Sequence, residues 1–317
     1  MSNIDIDETE VQEIQQSLQT LRQEVGKRIV GQKPVIEQLL ACLLCDGNAL
    51  LESTPGLGKT LLIRTVADAT ALDFSRVQNT PDLMPSDITG TDVINETSEG
   101  TQFRFDPGPI FANVVLADEI NRATPKTQAA LLEAMQEGQV TAGGDTYELP
   151  KPFFVLATQN PIEQEGTYPL PEAQRDRFLL KILLDYPDRG EELDIVNRYT
   201  RGPTETIPVD RVLDDGDFTR AQRLVRQMPI ADDITERAVE LVRATRHDER
   251  LEYGASPRAS MGIVLAAKAR AFLEGRSHVV EGDIEAMARP VLRHRIIVDF
   301  TAERDGITPD DVVADLL

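Results

Sequence analysis

Between residues 48 and 184 the sequence alternates short apolar runs with stretches whose apolar residues recur at helical spacing. Short buried strands separated by helices favour a parallel sheet covered on both faces. From residue 188 onward almost all of the sequence has helical periodicity. The pattern therefore predicts an α/β fold in two domains, residues 1–187 and residues 188–317. The predicted strands are Ala49–Leu51, Phe74–Val77, Val114–Ala117, Phe153–Ala157 and Phe178–Leu184.

Shorter signals add detail to this plan. Apolar residues at helical spacing between residues 11 and 21 predict an amphipathic N-terminal helix. Thr124-Pro125 is a helix-start signature, and Gly138 marks the end of that helix. Two segments alternate apolar and polar residues about a turn, which predicts two β-hairpins. Their turns are Thr97–Gly100 and Ala142–Asp145.

Acidic residues outnumber basic ones, 54 against 33, so the formal net charge is −21. Any basic patch for nucleic acid would lie in a strongly negative field, which argues against a nucleic-acid partner. Only seven basic residues are lysine, and dispersed negative charge with little lysine suits a salt-rich cytoplasm, because salt screens self-repulsion. No apolar run approaches the roughly 20 residues of a membrane span. The first ten residues lack a signal peptide's features, so we expect a soluble, cytoplasmic protein.

The two cysteines form a single C-x-x-C, Cys42 to Cys45. A redox pair would need an exposed thiolate at a helix start, and a zinc site would need two further ligands. The surrounding apolar residues recur at helical spacing, and the three histidines lie far away in sequence. The pattern predicts two reduced, partly buried small hydrophobic residues.

The segment Leu50–Thr60 runs from an apolar strand through a Gly/Pro loop into a helical pattern. Gly58, Lys59 and Thr60 match the end of the phosphate-binding loop G-x-x-x-x-G-K-[ST], whose backbone N–H groups wrap phosphates at a helix start. Lys59 would reach the β- and γ-phosphates, and the Thr60 hydroxyl would ligate Mg²⁺. Ser53 replaces the first glycine; if that position needs a positive φ, serine costs about 1 kcal/mol. An ordinary strand–loop–helix junction is the alternative.

A second group of polar residues follows the third predicted strand, where Asp118 and Glu119 come directly after an apolar run. A carboxylate at the end of a buried strand is costly unless a cation or donors receive it, and ligands bind at this edge of α/β sheets. Asp118 would hold Mg²⁺ and Glu119 would polarise the attacking water. The alternative is an ordinary strand end exposed to solvent. The presence of a phosphate loop in the same chain makes the magnesium site the better interpretation.

Further candidates follow in the same half of the chain. Asn160, after the next strand, could orient the same water, although a turn residue before proline is an equally good local interpretation. Arg175 and Arg177 precede the last predicted strand. Either could be an arginine finger that reaches the γ-phosphate held by a neighbouring subunit. Pairing with nearby acids such as Glu172 is their structural alternative.

Six segments of the sequence belong together: residues 29–32, 54–60, 115–123, 157–161, 170–178 and 254–259. In this order they resemble the MoxR family of AAA+ ATPases, from about Val30 to Val298. The resemblance implies a RecA-like αβα nucleotide-binding domain with a parallel sheet, followed by a small all-helical lid, with the two hairpins as insertions.

The same resemblance assigns roles to individual residues. Lys59 and Thr60 correspond to the Walker A pair, Asp118 and Glu119 to the Walker B pair, Asn160 to sensor 1, Arg177 to the arginine finger and Arg258 to sensor 2. In the first turn of a lid helix, Arg258 would point at phosphate, so that ATP bridges the two domains. The implied contacts to ATP are Val30, Gly31, Gln32, Thr54, Pro55, Gly56, Leu57, Gly58, Lys59, Thr60, Leu61, Asp118 and Arg258, with Thr60 and Asp118 as Mg²⁺ ligands.

The function implied by the resemblance is that of a chaperone-like ATPase that remodels or matures client protein complexes as a ring oligomer, with six subunits as the expected number. A partner protein bearing a von Willebrand factor A domain is expected to act in trans. Two alternatives remain open at this point. One is a DNA-acting or chelatase-type AAA+ motor, and the other is a slow nucleotide-binding switch, suggested by Ser53.

Overall fold

The computed structural model describes residues 8–97, 100–161, 166–200 and 207–317. Its helices are α1 (Glu8–Arg28), α2 (Lys33–Leu44), α3 (Lys59–Asp68), α4 (Pro85–Thr89), α5 (Pro125–Glu137), α6 (Glu172–Arg175), α7 (Arg189–Thr200), α8 (Asp215–Gln227), α9 (Asp232–Thr245), α10 (Pro257–Leu273), α11 (Glu281–Leu292), α12 (Phe300–Arg304) and α13 (Pro309–Leu316). Its strands are β1 (Ala49–Ser53), β2 (Phe74–Gln78), β3 (Gly90–Thr97), β4 (Gly100–Pro107), β5 (Val114–Asp118), β6 (Gln139–Ala142), β7 (Asp145–Glu148), β8 (Phe154–Gln159), β9 (Leu180–Leu184), β10 (Leu251–Tyr253) and β11 (Ile297–Val298).

Five strands form one parallel sheet in the order β2-β5-β8-β1-β9. Apolar side chains from the two faces of this sheet enter two separate hydrophobic clusters. Such burial on both faces explains why the strands have continuous apolar runs rather than alternating ones. The five predicted strands are confirmed, with β9 beginning at Leu180 rather than Phe178.

Helix α1 packs its apolar stripe into the larger of the two clusters, with Leu18, Leu21 and Val25 fully buried. Helix α5 begins as predicted, since the Thr124 hydroxyl accepts a hydrogen bond from the Thr127 N–H. It ends at Gly138, whose left-handed conformation (φ 63°) favours glycine. The local signals in the sequence therefore set these helix boundaries.

Both predicted hairpins form, as the antiparallel pairs β3–β4 and β6–β7. They pack against each other through the stacked rings of Phe105 and Tyr147, whose centroids lie 4.0 Å apart. Two residues of the first predicted turn, at positions 98 and 99, lie outside the described residues. The second turn contains Gly143, where a Cβ atom would collide with the Asp92 carboxylate.

The region after residue 207 is mostly helical, built around the buried helix α10. It also contains a short antiparallel ladder of β10 and β11, which the helical periodicity did not predict. Strands of two and three residues are too short to show a period of their own. Cys42 and Cys45 are free thiols, and burial raises the pKa of both, which confirms their interpretation as small hydrophobic residues. Both are fully buried, however, rather than partly buried as predicted. None of the described helices combines the length and the apolar character required to cross a membrane.

Candidate functional site

The loop between β1 and α3 has the backbone of a phosphate cradle. Gly56 and Gly58 have φ values of 88° and 78°, which glycine adopts without strain, and a Cβ on either would meet no atom within 4 Å. The need for glycine is therefore conformational rather than steric. Lys59 and Thr60 occupy the first turn of α3. The N–H groups of a first helical turn lack partners within the helix and can therefore bind an anion.

Ser53 is the last residue of β1, pairs in register with Leu184 of β9 and is buried. Its φ is not positive, so the backbone cost considered from the sequence does not arise. The Ser53 hydroxyl donates a hydrogen bond to the Thr54 carbonyl at 3.1 Å. A serine fits this position because the strand continues through it and the turn begins only afterwards.

Asp118 ends β5 and is almost completely buried. Its Oδ1 accepts a hydrogen bond from the Thr158 hydroxyl at 2.7 Å, and its Oδ2 accepts one from Arg76 Nη2 at 2.6 Å. Its carbonyl oxygen accepts from the backbone and side-chain amides of Asn79. Every oxygen of Asp118 is therefore oriented by a neighbour, and the carboxylate is compensated by the Arg76 guanidinium.

Glu119 has a left-handed backbone, with φ 55° and ψ 53°. In a non-glycine residue this conformation costs of order 1 kcal/mol, and such strain concentrates at functional sites. Its N–H donates to the Thr158 hydroxyl at 2.9 Å, and its Oε2 accepts from Arg122 Nη1 at 2.9 Å. The strained turn ends β5 and sets the direction of the carboxylate.

Thr158 was not identified from the sequence, although it organises both acids. Its hydroxyl donates to Asp118 and accepts from the Glu119 N–H, and the side chain is completely buried. The available signal was a hydroxyl residue two positions before Asn160, at the end of the adjacent strand. The sequence pattern did not show that β8 lies between β1 and β5, which is what brings Thr158 to the acids.

The sheet register places the predicted groups at one edge. Leu51 of β1 lies opposite Thr158 of β8, and Ala117 of β5 lies opposite Ala157. The phosphate loop and the acid pair are therefore two strand spacings apart, about 10 Å. Asn160, which is buried, follows β8 between them. The structure thus brings Lys59, Thr60, Asp118, Glu119 and Asn160 to the carboxyl edge of the sheet.

An apolar cavity of about 170 Å³ lies beside the loop. Of the residues predicted to contact nucleotide, Val30, Gln32, Gly56, Leu57, Gly58 and Leu61 line it. The chain reverses at Gly31 and Gln32, with φ values of 64° and 52°, and Gln32 Nε2 donates to the Asp185 carbonyl. Among the lining residues that the sequence reasoning missed are Leu184 of β9, Pro187 of the loop that follows it, and Ile195 and Tyr199 of α7.

These residues fit a nucleotide and magnesium. The buried Thr54 hydroxyl has no hydrogen-bond partner, and the Lys59 ammonium makes no hydrogen bond or ion pair within the described residues. Among those residues there is no cluster of three His, Cys, Asp or Glu side chains that would hold a metal by itself. Thr60 and Asp118 carry oxygen atoms, the ligand type that Mg²⁺ takes beside phosphate oxygens and several waters.

The structure does not bring Arg177 or Arg258 to this edge. Both line a second cavity of about 270 Å³, together with residues 46–48 and Leu179, which directly precede β1 and β9. Asp176 lies in the same cavity, and its Oδ2 is 3.9 Å from Arg258 Nη1. The five residues of β1 separate the two edges by about 17 Å. The expectation that Arg258 points at the phosphates of its own chain is therefore not met by this geometry.

Comparison with known proteins agrees with this architecture. Residues 48–180 match the model of the ATPase family associated with various cellular activities (AAA), and residues 243–316 match the AAA lid domain. The chain is 45% identical to the uncharacterised protein YeaC of Bacillus subtilis, over 92% of this chain and 91% of that one. It is 44% identical to the chaperone MoxR1 of Mycobacterium tuberculosis, over 92% and 78%.

A solved structure is similar over nearly the whole chain. A protein of Cytophaga hutchinsonii to which ATPase activity has been ascribed superposes with a TM-score of 0.90 at 42% identity, covering 98% of this chain and 96% of that one. Fold and site together define an AAA+ nucleotide-binding protein with a lid. With the identity to MoxR1 and to MoxR of Methylorubrum extorquens (33%), the chain belongs to the MoxR family of AAA+ ATPases.

Proposed function

We propose that this chain hydrolyses ATP to ADP and phosphate with Mg²⁺, and that the cycle drives the remodelling of client proteins. The observation that carries the proposal is the convergence of Lys59 and the Asp118–Glu119 pair on one edge of the sheet, with Thr158 joining the two acids. A structural strand end would not combine an unpaired lysine, a glycine cradle and a strained carboxylate.

Each group has a task that follows from its position. Lys59 and the N–H groups of the first turn of α3 bind the β- and γ-phosphates. Thr60 and Asp118 would hold Mg²⁺, which neutralises charge on the phosphate oxygens when bound. Glu119 accepts a hydrogen bond from the attacking water and orients it. Asn160 positions the same water by a second hydrogen bond. The adenine lies in the apolar cavity beside Val30, Gly31, Gln32 and Leu61.

The positions of Arg177 and Arg258 support a ring. Since both lie at the amino edge, about one strand length from their own phosphate loop, they would act on the nucleotide of a neighbouring subunit. Their exposure permits this, as the Arg258 side chain is about half exposed. We propose a homo-oligomer, with six subunits as the expected number, in which each site is completed by two arginines of the next copy.

Glu119→Gln tests the chemistry. The variant should bind ATP with near-normal affinity and hydrolyse it at least about 100-fold more slowly, since the amide cannot act as a base. Glu133→Gln, an exposed residue of α5, is the matched control and should hydrolyse normally. Unchanged turnover in the Glu119 variant would refute the assignment.

Mixing two inactive variants tests the ring. Arg177→Ala lacks the contributed arginine and Lys59→Ala lacks the phosphate contact, but a mixed ring contains some intact sites. We expect partial recovery of ATP hydrolysis on mixing, measured against each variant alone. Recovery that is absent under conditions where light scattering shows mixed oligomers would rule out contribution between subunits.

We propose that clients bind at the two packed hairpins. Two large apolar side chains of the first hairpin, Ile94 and Phe103, are 62% and 75% exposed. The second hairpin contains no lysine or arginine between Gln139 and Glu148, so it offers no grip for a nucleic-acid backbone. A pull-down with Glu119→Gln in ATP should capture the client and any partner with a von Willebrand factor A domain. Stimulation of ATP hydrolysis by DNA at moderate salt would favour a DNA-acting motor instead.

We further propose residues 1–187 as the nucleotide-binding domain and 188–317 as the lid, in a protein of the cytoplasm. The matched ranges, 48–180 and 243–316, do not fix the position of the boundary, which limited proteolysis can locate. The net charge of −21 supports a salt-rich setting. Thermal unfolding measured from low to molar salt should show rising stability; an unchanged midpoint would contradict a salt-adapted chain.

A further inference from the structure

A third cavity, of about 460 Å³, lies between α6, β9 and the C-terminal helices, away from the nucleotide edge. Among the described residues, three cations line it, Arg175, Lys181 and Arg293, against one acid, Glu303. This local sign is opposite to that of a chain with 54 acidic and 33 basic residues. A cavity of positive sign in such a protein needs a physical reason, because most of its surface favours cations.

Two of the three cations have protein partners. Lys181 Nζ lies 2.9 Å from Glu52 Oε2, and Arg293 Nε lies 2.9 Å from Asp310 Oδ1. Their charges are therefore largely compensated within the chain. The remaining positive charge of the cavity is carried by Arg175.

Arg175 has no such partner. Its guanidinium makes no hydrogen bond or ion pair within the described residues, and its Nε is buried without an acceptor. A buried donor of a charged group that lacks an acceptor is costly, and that cost is recovered when an anion is bound. The Glu172 carboxylate, one helical turn away and a natural partner by sequence, is not paired with it.

The neighbouring histidine shows the same positive field. Burial lowers the pKa of His294, and the charges of Arg295, Lys181 and Arg175 lower it further. His294 is therefore neutral, and its Nδ1 has no hydrogen-bond partner in the part of the chain that the structure describes. The groups that face Arg175 on this side are thus cationic or neutral, apart from the exposed Glu303 at the cavity.

We propose that this cavity is an anion site for a phosphate group, with Arg175 as its ligand. A guanidinium binds phosphate through paired N–H donors, which lysine does not supply. The site is separate from the phosphate loop, which follows β1, whereas Arg175 lies before β9. The phosphate group can come from free inorganic phosphate or from a nucleotide.

Thermal unfolding of the full chain with inorganic phosphate tests the proposal, at an ionic strength held constant with sodium chloride. The protein used carries the substitution Lys59→Ala, which weakens phosphate binding at the phosphate loop between β1 and α3. A ligand that binds only the native state raises the unfolding temperature, and the rise grows with the logarithm of the ligand concentration divided by its dissociation constant. Arg175→Leu in this background should require at least about tenfold more phosphate for the same shift, as expected for a lost charge-assisted hydrogen bond. Arg243→Leu, an exposed arginine of α9, removes the same charge and should leave the shift unchanged.

Glu303→Gln provides a test that does not depend on the folding of the Arg175 variant. Removing this acid from the cavity should reduce the phosphate concentration needed, by a few-fold. A phosphate shift that neither substitution alters, or no shift at all, overturns the proposal. A shift in oligomer mass with Arg175→Leu, without any change in phosphate response, also overturns it and assigns Arg175 to a carboxylate of another subunit.

The two sources are separated by repeating the titration with AMP. A stronger effect of AMP than of inorganic phosphate, lost in Arg175→Leu, identifies the phosphate of a nucleotide as the ligand. An effect of inorganic phosphate alone identifies the free anion.

Discussion

The carboxyl edge of the central sheet and the start of helix α11 both gather charged residues, but they satisfy them to different degrees. At α11, Asp283 is completely buried and accepts hydrogen bonds from Arg270 and Arg276 at 2.6 Å, and from the Val280 N–H at 2.9 Å. At the sheet edge, Lys59 has no partner among the described residues and Glu119 has a strained backbone.

The difference separates charged groups that stabilise the fold from groups that we propose bind a ligand. A fully satisfied buried carboxylate contributes to stability only while its partners remain in place. Strain and unpaired charge lower stability and persist where they serve chemistry. Substitutions at the two regions should therefore affect different quantities.

The largest effect is expected for Asp283→Asn. The substitution leaves Arg270 and Arg276 without their shared anion, and breaking a buried ion pair in this way costs about 3–5 kcal/mol of unfolding free energy. Urea unfolding monitored by circular dichroism measures it. Glu281→Gln, an exposed acid of the same helix, is the control and should change stability little. A loss below about 1 kcal/mol would mean that the network does not stabilise the lid.

Acid should weaken the same network more gradually. Burial raises the pKa of Asp283, but hydrogen bonds from Arg276, the Val280 N–H and Arg270 outweigh it and hold that pKa below its usual 3.8. The group therefore binds fewer protons when folded, and its contribution is complete above about pH 4 and lost as the pH falls through the folded pKa. Unfolding free energy measured from pH 5 to pH 2 should fall less steeply in Asp283→Asn than in the unchanged protein. Parallel curves would contradict this.

Lys59→Ala tests the charged group at the sheet edge. Losing a charged donor to phosphate should weaken ATP binding by about 100-fold, equivalent to roughly 2.7 kcal/mol. Stability without nucleotide should stay unchanged, because the ammonium has no partner to lose among the described residues. Calorimetric titration with ATP and a thermal scan measure the two quantities, and Lys126→Ala at the exposed start of α5 is the control. A clear loss of stability would show that Lys59 also holds the fold.

Glu119→Gly sharpens the contrast, since it should raise stability and abolish activity together. Glycine adopts φ 55° without strain, so relief of about 1 kcal/mol is expected, partly offset by its greater freedom when unfolded. ATP hydrolysis should be lost with the carboxylate. Glu119→Gln, which keeps the strain, serves as the reference. Equal stability of the two variants would argue that the left-handed backbone stores no energy.

The smallest effect is expected for Ser53→Gly. Because Ser53 has strand geometry, glycine gains no conformational advantage there and should lower stability by about 0.5–1 kcal/mol. ATP affinity and turnover should be unchanged. A large rise in turnover would revive the slow-switch alternative, in which this serine weakens the site.

Elements with strong local signals could be predicted from the sequence. The strands were visible because both sheet faces are buried, and Thr124 and Gly138 set the ends of α5 by chemistry that acts within a few residues. The phosphate loop was recognisable because its glycines must adopt positive φ. The β10–β11 ladder was not predicted, as it depends on residues about 45 positions apart.

The parts of the site that depend on strand order could not be predicted in the same way. Tyr199 and Leu184 line the apolar cavity only because β9 lies beside β1 and α7 follows it. The position of Arg258 was misjudged for a related reason: a helix start predicts where a side chain begins, not which edge of a distant sheet it faces. Local sequence patterns identified the candidate side chains, and the strand order determined which of them lie together.

Thr158 and Asn160 lie two residues apart at the end of the same strand, and one of them already contacts both acids. A displacement of that strand end by a fraction of an ångström would lengthen two hydrogen bonds at once, one to each carboxylate-bearing residue. If Asn160 and the acid pair act as proposed, this strand end is a short mechanical connection between the residue that contacts the terminal phosphate and the pair that prepares its hydrolysis. Timing of the reaction and detection of its completion would then depend on a single hydroxyl group.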